Sequence, residues 1–293
     1  MRNEFSGVMG RELAANADSV LILGDIGVYG HRESFLKYPD RVFNIGILEQ
    51  SMISFAAGLA IEGISPTVHT IAPFLVERAF EQIKIDFGYQ SLGGNFITVG
   101  ASLDYAGLGA THHCPGDVGM MLNIPGTEIY VPGTATEFSE QFSWSSRNQK
   151  ISYFRLSEKK NKQSIGVKRR KGCLIKSGNL ATVIAVGPML DVVIEATSDL
   201  DVTILYYNTV APFDEYLLKS NLNSGKLFIV EPFYENTLAT VTQPILRDQA
   251  VLVRSKGVPR RFITKYGKIE QHYEEFGLNA QSIRREIQEM VNV

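Results

Sequence analysis

A glutamate at the start of a helix and a histidine in a glycine-bounded loop are the residues of this sequence best suited to handle protons. The glutamate is Glu49, in Phe43-Asn44-Ile45-Gly46-Ile47-Leu48-Glu49-Gln50. The apolar run before it reads as a strand ending in glycine, and the small and apolar residues after it read as a helix closed by Gly63. Taken alone, a glutamate in a first helical turn is simply what the macrodipole favours. His112 lies in Gly109-Ala110-Thr111-His112-His113, where an imidazole can donate to a hydroxyl or transfer a proton. A loop histidine that only faces solvent is the plain alternative. Asp25 follows an expected strand and could equally cap a turn. Phe74 begins an apolar series with Leu75, Ala79, Ile83 and Phe87, so its ring either fills a core or offers a stacking face. Arg155 follows an apolar strand and Arg2 lies near the start; guanidinium groups offer the paired donors that suit phosphate.

The elements that must position these residues alternate in type. Strands are expected at 19–24, 41–45, 66–70, 95–99, 128–131 and 151–156, with helices at 49–62, 74–87 and 137–147. A lysine-rich stretch at 158–177 breaks the rhythm and reads as a linker. A second series then begins, with strands at 182–186, 203–207, 227–230 and 261–264. Its helices are expected at 190–198, 213–221, 238–248 and 280–290. The expected fold class is therefore α/β, as two domains with mostly parallel sheets, over 1–157 and 178–293. Such sheets hold ligands at the carboxyl ends of their strands, which is where Asp25, Glu49 and His69 fall.

Bulk properties narrow the function. With 293 residues, 44% hydrophobic and 20% charged, the chain has the size and composition of a two-domain globular protein. A formal net charge of -2 gives no global attraction to nucleic acid or to an anionic membrane, and no apolar run is long enough to span a bilayer. Cys114 and Cys173 are far apart with no metal-ligand spacing, so neither a disulfide framework nor a zinc site is expected. The first ten residues carry no signal-peptide core, and a reducing cytoplasmic setting is expected.

Taken together, Gly24-Asp25, Asn44 to Gln50, Gly58-Leu59-Ala60, Phe74 to Gln82, Leu108 to His112 and Pro125 to Glu137 resemble the pyrimidine-binding domain of the transketolase family, nearly collinearly over the first 157 residues. The second half resembles that family's C-terminal domain more loosely, through Val230-Glu231 and Glu275-Phe276-Gly277-Leu278. The resemblance implies thiamine diphosphate as cofactor. It gives Glu49 a hydrogen bond to the aminopyrimidine ring nitrogen, which requires a shared proton. Phe74 would stack on that ring, Ile71 would line the same pocket, and Asp25 would lie close to the cofactor. His112 would contact substrate oxygens near the reacting carbons, and Arg155 and Arg2 would bind a substrate phosphate. Departures are evident: Glu77 stands where the family often has a tyrosine, Leu108 where it has an aspartate, Gly100 where it has a histidine, and Tyr29 where a small hydroxyl residue is usual.

The family's Gly-Asp-Gly…Asn motif for the diphosphate and its Mg2+ (or Ca2+) is missing, since neither Gly24-Asp25-Ile26 nor Gly116-Asp117-Val118 supplies it. The resemblance therefore implies that a second, N-terminal subunit holds the metal, and that the assembly is α2β2. The reading that follows is the C-terminal subunit of a split transketolase moving a two-carbon ketol unit from a ketose to an aldose. The β subunit of a 2-oxo-acid dehydrogenase, a deoxyxylulose-phosphate synthase and a non-catalytic transketolase-like binding protein remain as alternatives.

Overall fold

The computed structural model describes residues 1–166 and 168–292. Its strands are β1 (Ser19–Leu23), β2 (Val42–Asn44), β3 (Ser65–Ile71), β4 (Gly94–Val99), β5 (Glu128–Tyr130) and β6 (Ile151–Arg155) in the first half. In the second half they are β7 (Cys173–Lys176), β8 (Thr182–Val186), β9 (Thr203–Tyr207), β10 (Thr209–Ala211), β11 (Lys226–Tyr234) and β12 (Leu252–Val258). They form a seven-stranded sheet in the order β10-β5-β6-β4-β3-β1-β2 and a five-stranded sheet in the order β12-β11-β8-β9-β7. All pairings are parallel except β10 with β5 and β7 with β9. Strands such as β1, β4 and β8 are buried along their whole length, which is why they read as continuous apolar runs rather than as alternating ones.

The two sheets are joined by chain and by core. Only Asn208 separates β9 from β10, so one extended segment leaves the second sheet and enters the first. Asn208 fixes the crossing: its carbonyl accepts from Val131 N at 2.8 Å, and its side chain donates to buried Glu137 Oε2 at 2.9 Å. Tyr206 Oη donates to the same carboxylate oxygen at 2.6 Å. One apolar cluster runs through Ile129 and Val131 of the first half and Val186, Leu205 and Tyr207 of the second.

Most expected elements form near their expected bounds. The segment read as a linker ends in a strand, β7, at the edge of the second sheet. The strand expected at 261–264 does not form. Pairing with β11 is taken by β12 instead, and the 261–264 backbone is irregular, with Phe262 92% exposed. Polar Arg254, Ser255 and Lys256 within β12 hide its apolar pattern, as is usual at a sheet edge. A helix outside the expected set, Arg2–Ala15, buries one face through Phe5, Val8, Met9 and Leu13. The helix expected at 74–87 is not regular α. It consists of two π-helical turns, Pro73–Glu77 and Ile83–Tyr89, around the short α turn Phe80–Gln82. The wider turn is closed by Arg78 N donating to Pro73 O, five residues back, at 3.1 Å. Such turns recur at functional sites because they redirect side chains within a helix. No described helix is long and apolar enough to cross a membrane.

Candidate active site

The site is built where β2 and β3 end. After β2 the chain turns through Gly46 at φ 78°, a conformation that costs glycine little, and enters the helix Glu49–Ile61. Asn44 holds the turn. Its Oδ1 accepts from Gly46 N at 3.2 Å and from Asp25 N at 2.9 Å, and its amide donates to Asp25 Oδ1 at 3.3 Å. Asp25, exposed and at φ 63°, therefore braces the ends of β1 and β2.

Glu49 is 1% exposed. Its Oε2 accepts a 2.7 Å hydrogen bond from Arg78 Nη1, and its Oε1 is buried without a partner among the described residues. A buried carboxylate oxygen with an open lone pair is costly unless something pairs with it. The Arg78 guanidinium carbon also lies 4.3 Å from the centroid of Phe74, and the Phe74 ring meets His112 edge-on at 5.2 Å. His112 Nδ1 is hydrogen-bonded to Thr111 Oγ1 at 2.9 Å, and Tyr105 approaches the imidazole at 6.3 Å. Tyr105 closes over Gly100, where a side chain at that position would strike both its ring and Ile71. Glu49, Phe74, Ile71 and His112 are thus brought into one neighbourhood, together with Arg78 and Tyr105, to which the sequence reading gave no role. Arg78 follows Phe74 by four residues, so the helical pattern of the stretch places those two side chains near one another, whereas the bond from Arg78 to Glu49 joins segments 29 residues apart and depends on packing.

Other expected residues fall elsewhere. Glu77 accepts from Cys114 Sγ at 3.5 Å and does not serve as a ring substitute. Leu108 is exposed beside His112, and Tyr266 of the second half packs against Gly109 so closely that any side chain there would collide with it. Arg155, expected to bind phosphate, is only 1% exposed. Its Nε donates to Asp117 Oδ2 at 2.7 Å, and its Nη2 donates to Ser102 Oγ and to Pro232 O. Its Nε and Nη2 are thus engaged by the protein, and it ties β6 to β11. Arg2 is exposed at the mouth of a cavity of about 270 Å3 that also touches Tyr29, Gly27, His31 and His69.

Burial lowers the pKa of His31 to about 4 and that of His69 to about 3, with smaller contributions from the Arg2 charge. Both imidazoles are therefore neutral at pH 7, and His69 Nδ1 donates to Ile97 O at 2.9 Å. Because the folded values lie below the unfolded value of 6.5, their stabilising contribution is complete above pH 6.5 and is lost as pH falls toward 4 and then 3. His69→Asn keeps a donor for Ile97 O without a titrating ring. It is expected to flatten the fall in melting midpoint below pH 6.5; a slope unchanged from the parent would count against this assignment.

The donor set suits the aminopyrimidine end of thiamine diphosphate, since it offers an unpaired, buried carboxylate oxygen beside an aromatic ring. No group of three or more His, Cys, Asp or Glu side chains among the described residues could hold a metal ion.

Similarity to known proteins extends over nearly the whole chain. A family described as the transketolase pyrimidine-binding domain matches residues 1–163. An uncharacterised 33.6 kDa protein of the fasciation locus of Rhodococcoides fascians is 36% identical over 291 residues, covering 98% of this chain and 93% of that protein. One of the subunits of the apulose-4-phosphate transketolase of Actinobacillus succinogenes is 29% identical over 223 residues, 72% of this chain and 71% of that one. A 1-deoxy-D-xylulose-5-phosphate synthase of Magnetococcus marinus is 28% identical over 279 residues, and the match spans only 43% of that longer enzyme. Among solved structures, a split-gene transketolase described as an inactive β4 tetramer has the same fold, with a TM-score of 0.86 at 23% identity over 99% of this chain and 97% of that one.

Proposed function

The chain belongs to the transketolase family, and from that premise we propose that it is the C-terminal subunit of a two-component transketolase that moves a two-carbon ketol unit from a ketose to an aldose. The observation that carries this reading is the buried Glu49 carboxylate, with Oε1 unpaired among the described residues, linked through Arg78 to the Phe74 ring and through that ring to His112. When bound, thiamine diphosphate supplies the nucleophilic carbon and the electron sink for breaking the carbon–carbon bond.

The residues of this chain do the rest. The Glu49 carboxyl shares a proton with the aminopyrimidine ring nitrogen and so fixes its tautomer. Phe74 gives a flat apolar surface for that ring, Ile71 belongs to the apolar cluster that Phe74 packs against, and Asp25 braces the turn. His112, oriented by Thr111, donates to or accepts from a substrate hydroxyl near the reacting carbons. Arg2 is the one phosphate candidate of the sequence reading that stands at an open cavity. The diphosphate and its Mg2+ or Ca2+ belong, in this reading, to an N-terminal partner carrying Gly-Asp-Gly…Asn, in an α2β2 assembly. The similarity, over most of both chains, to a protein named as one part of a transketolase made of separate subunits supports a divided enzyme.

Coexpression with such a partner, followed by a ketol-transfer assay on ketose and aldose pairs, tests the reading. A complex that binds cofactor yet transfers nothing would refute it, and turnover by this chain alone would refute the divided architecture. The synthase similarity makes a 2-oxo-acid donor the second reading, and carbon dioxide release from pyruvate by the same complex would select it. In the active complex, His112→Ala is expected to lower kcat/KM by roughly 100-fold or more, in line with losing one positioned proton-handling group. Cofactor affinity should stay near the parent value; a large loss of cofactor binding would instead make His112 part of the pyrimidine pocket.

A further inference from the structure

The Glu49 carboxylate is sealed. The residue is 1% exposed, Oε1 is enclosed by protein, and Oε2 is held by Arg78 Nη1 at 2.7 Å. The seal is a surface side chain, because Arg78 is 39% exposed. The same guanidinium lies over Phe74, 4.3 Å from its centroid. One planar cation therefore bonds to the carboxylate and covers the ring at the same time. A guanidinium and an aminopyrimidine share the features that these two contacts select. Each has a delocalised face that can lie on an aromatic ring and a nitrogen that can hydrogen-bond to a carboxyl group, the guanidinium as donor and the pyrimidine nitrogen through a shared proton.

We propose that Arg78 is a gate on the pyrimidine pocket: it occupies the place between Glu49 and Phe74 that an aminopyrimidine ring takes, and turns out to solvent as that ring enters. The proposal rests on the reading of Glu49 given above. The backbone of Arg78 is fixed by its bond to Pro73 O, so the motion is confined to a long side chain already in contact with water. Exposed side chains change rotamer quickly, so the gate costs affinity rather than time. A competitor that holds the closed form ten to one reduces apparent cofactor affinity by about tenfold.

The test is equilibrium dialysis of thiamine diphosphate with Mg2+ against the reconstituted two-subunit complex, with melting curves to show that each variant is folded. Arg78→Ala is expected to tighten binding by about tenfold, because the competitor is gone. Arg78→Lys keeps the charge but loses the planar fork, and should fall between the two. Glu49→Ala should weaken binding, and in that background the gain from Arg78→Ala should shrink to less than about twofold, because the two side chains act on one contact. Unchanged or weaker binding by Arg78→Ala, with Glu49→Ala still weakening it, overturns the gate. Unchanged binding by Glu49→Ala overturns the underlying assignment of Glu49 instead.

Discussion

Glu49→Gln is expected to abolish most ketol transfer by the reconstituted complex, with a fall in kcat of about 100- to 10,000-fold, the range for losing a positioned proton-transfer group. Glutamine keeps the size of the side chain and an oxygen for Arg78, so the helix Glu49–Ile61 should keep its fold and the melting midpoint should stay near that of the parent. What glutamine cannot do is share a proton with a ring nitrogen. The loss should therefore appear in kcat, with the substrate KM much less affected, as expected when an interaction is made chiefly in the transition state. The measurement is steady-state kinetics on the complex beside a cofactor-binding isotherm. Full activity in Glu49→Gln, with cofactor bound, would remove Glu49 from the chemistry.

Arg155→Met is expected to show the second largest effect, on stability rather than on activity alone. The Arg155–Asp117 pair is enclosed, with the two side chains 1% and 0% exposed and 2.7 Å apart. Removing one member leaves Asp117 charged in the interior, with Tyr153 Oη at 2.8 Å as its remaining donor. Breaking a buried pair in this way costs about 3–5 kcal/mol, and replacing both members by apolar groups costs far less. At about 2–4 °C per kcal/mol for a domain of this size, the melting midpoint should fall by roughly 10 °C. Arg155→Met/Asp117→Leu should recover much of that loss, because neither charge then remains in the interior. A melting midpoint equal to the parent's, together with a raised KM for phosphorylated substrates only, would restore the phosphate role that the sequence motif implies for Arg155.

The contrast between Glu49 and Arg155 marks how far the sequence could be read. Glu49 was legible because its setting is local. The run Phe43 to Ile45, the left-handed glycine at 46 and the small residues of the following helix together dictate a strand, a turn and a carboxylate in the first helical turn. The fully buried strands were legible for the same reason, and so was the alternation that produces parallel sheets. The burial of Arg155 was not legible, because its motif gives the strand end on which it stands but not the depth of that end. Its partners Asp117, Ser102 and Pro232 lie 38, 53 and 77 residues away. Similarly, β12 was missed because an edge strand need not alternate, and β10 because three residues that change sheet carry no period at all.

By itself, the sequence determined the α/β class, the strand–glycine–helix that presents Glu49, and the family resemblance that the comparisons then showed. These follow from rules that act over a few residues: side-chain period, turn chemistry and helix ends. Only the tertiary structure decided that Arg78 holds Glu49 across 29 residues of chain, that Arg155 is an internal tie, and that one strand of the second half completes the first sheet. Each of those depends on which surfaces meet when the core closes, and burial then decides whether a charged side chain faces a substrate or another part of the protein.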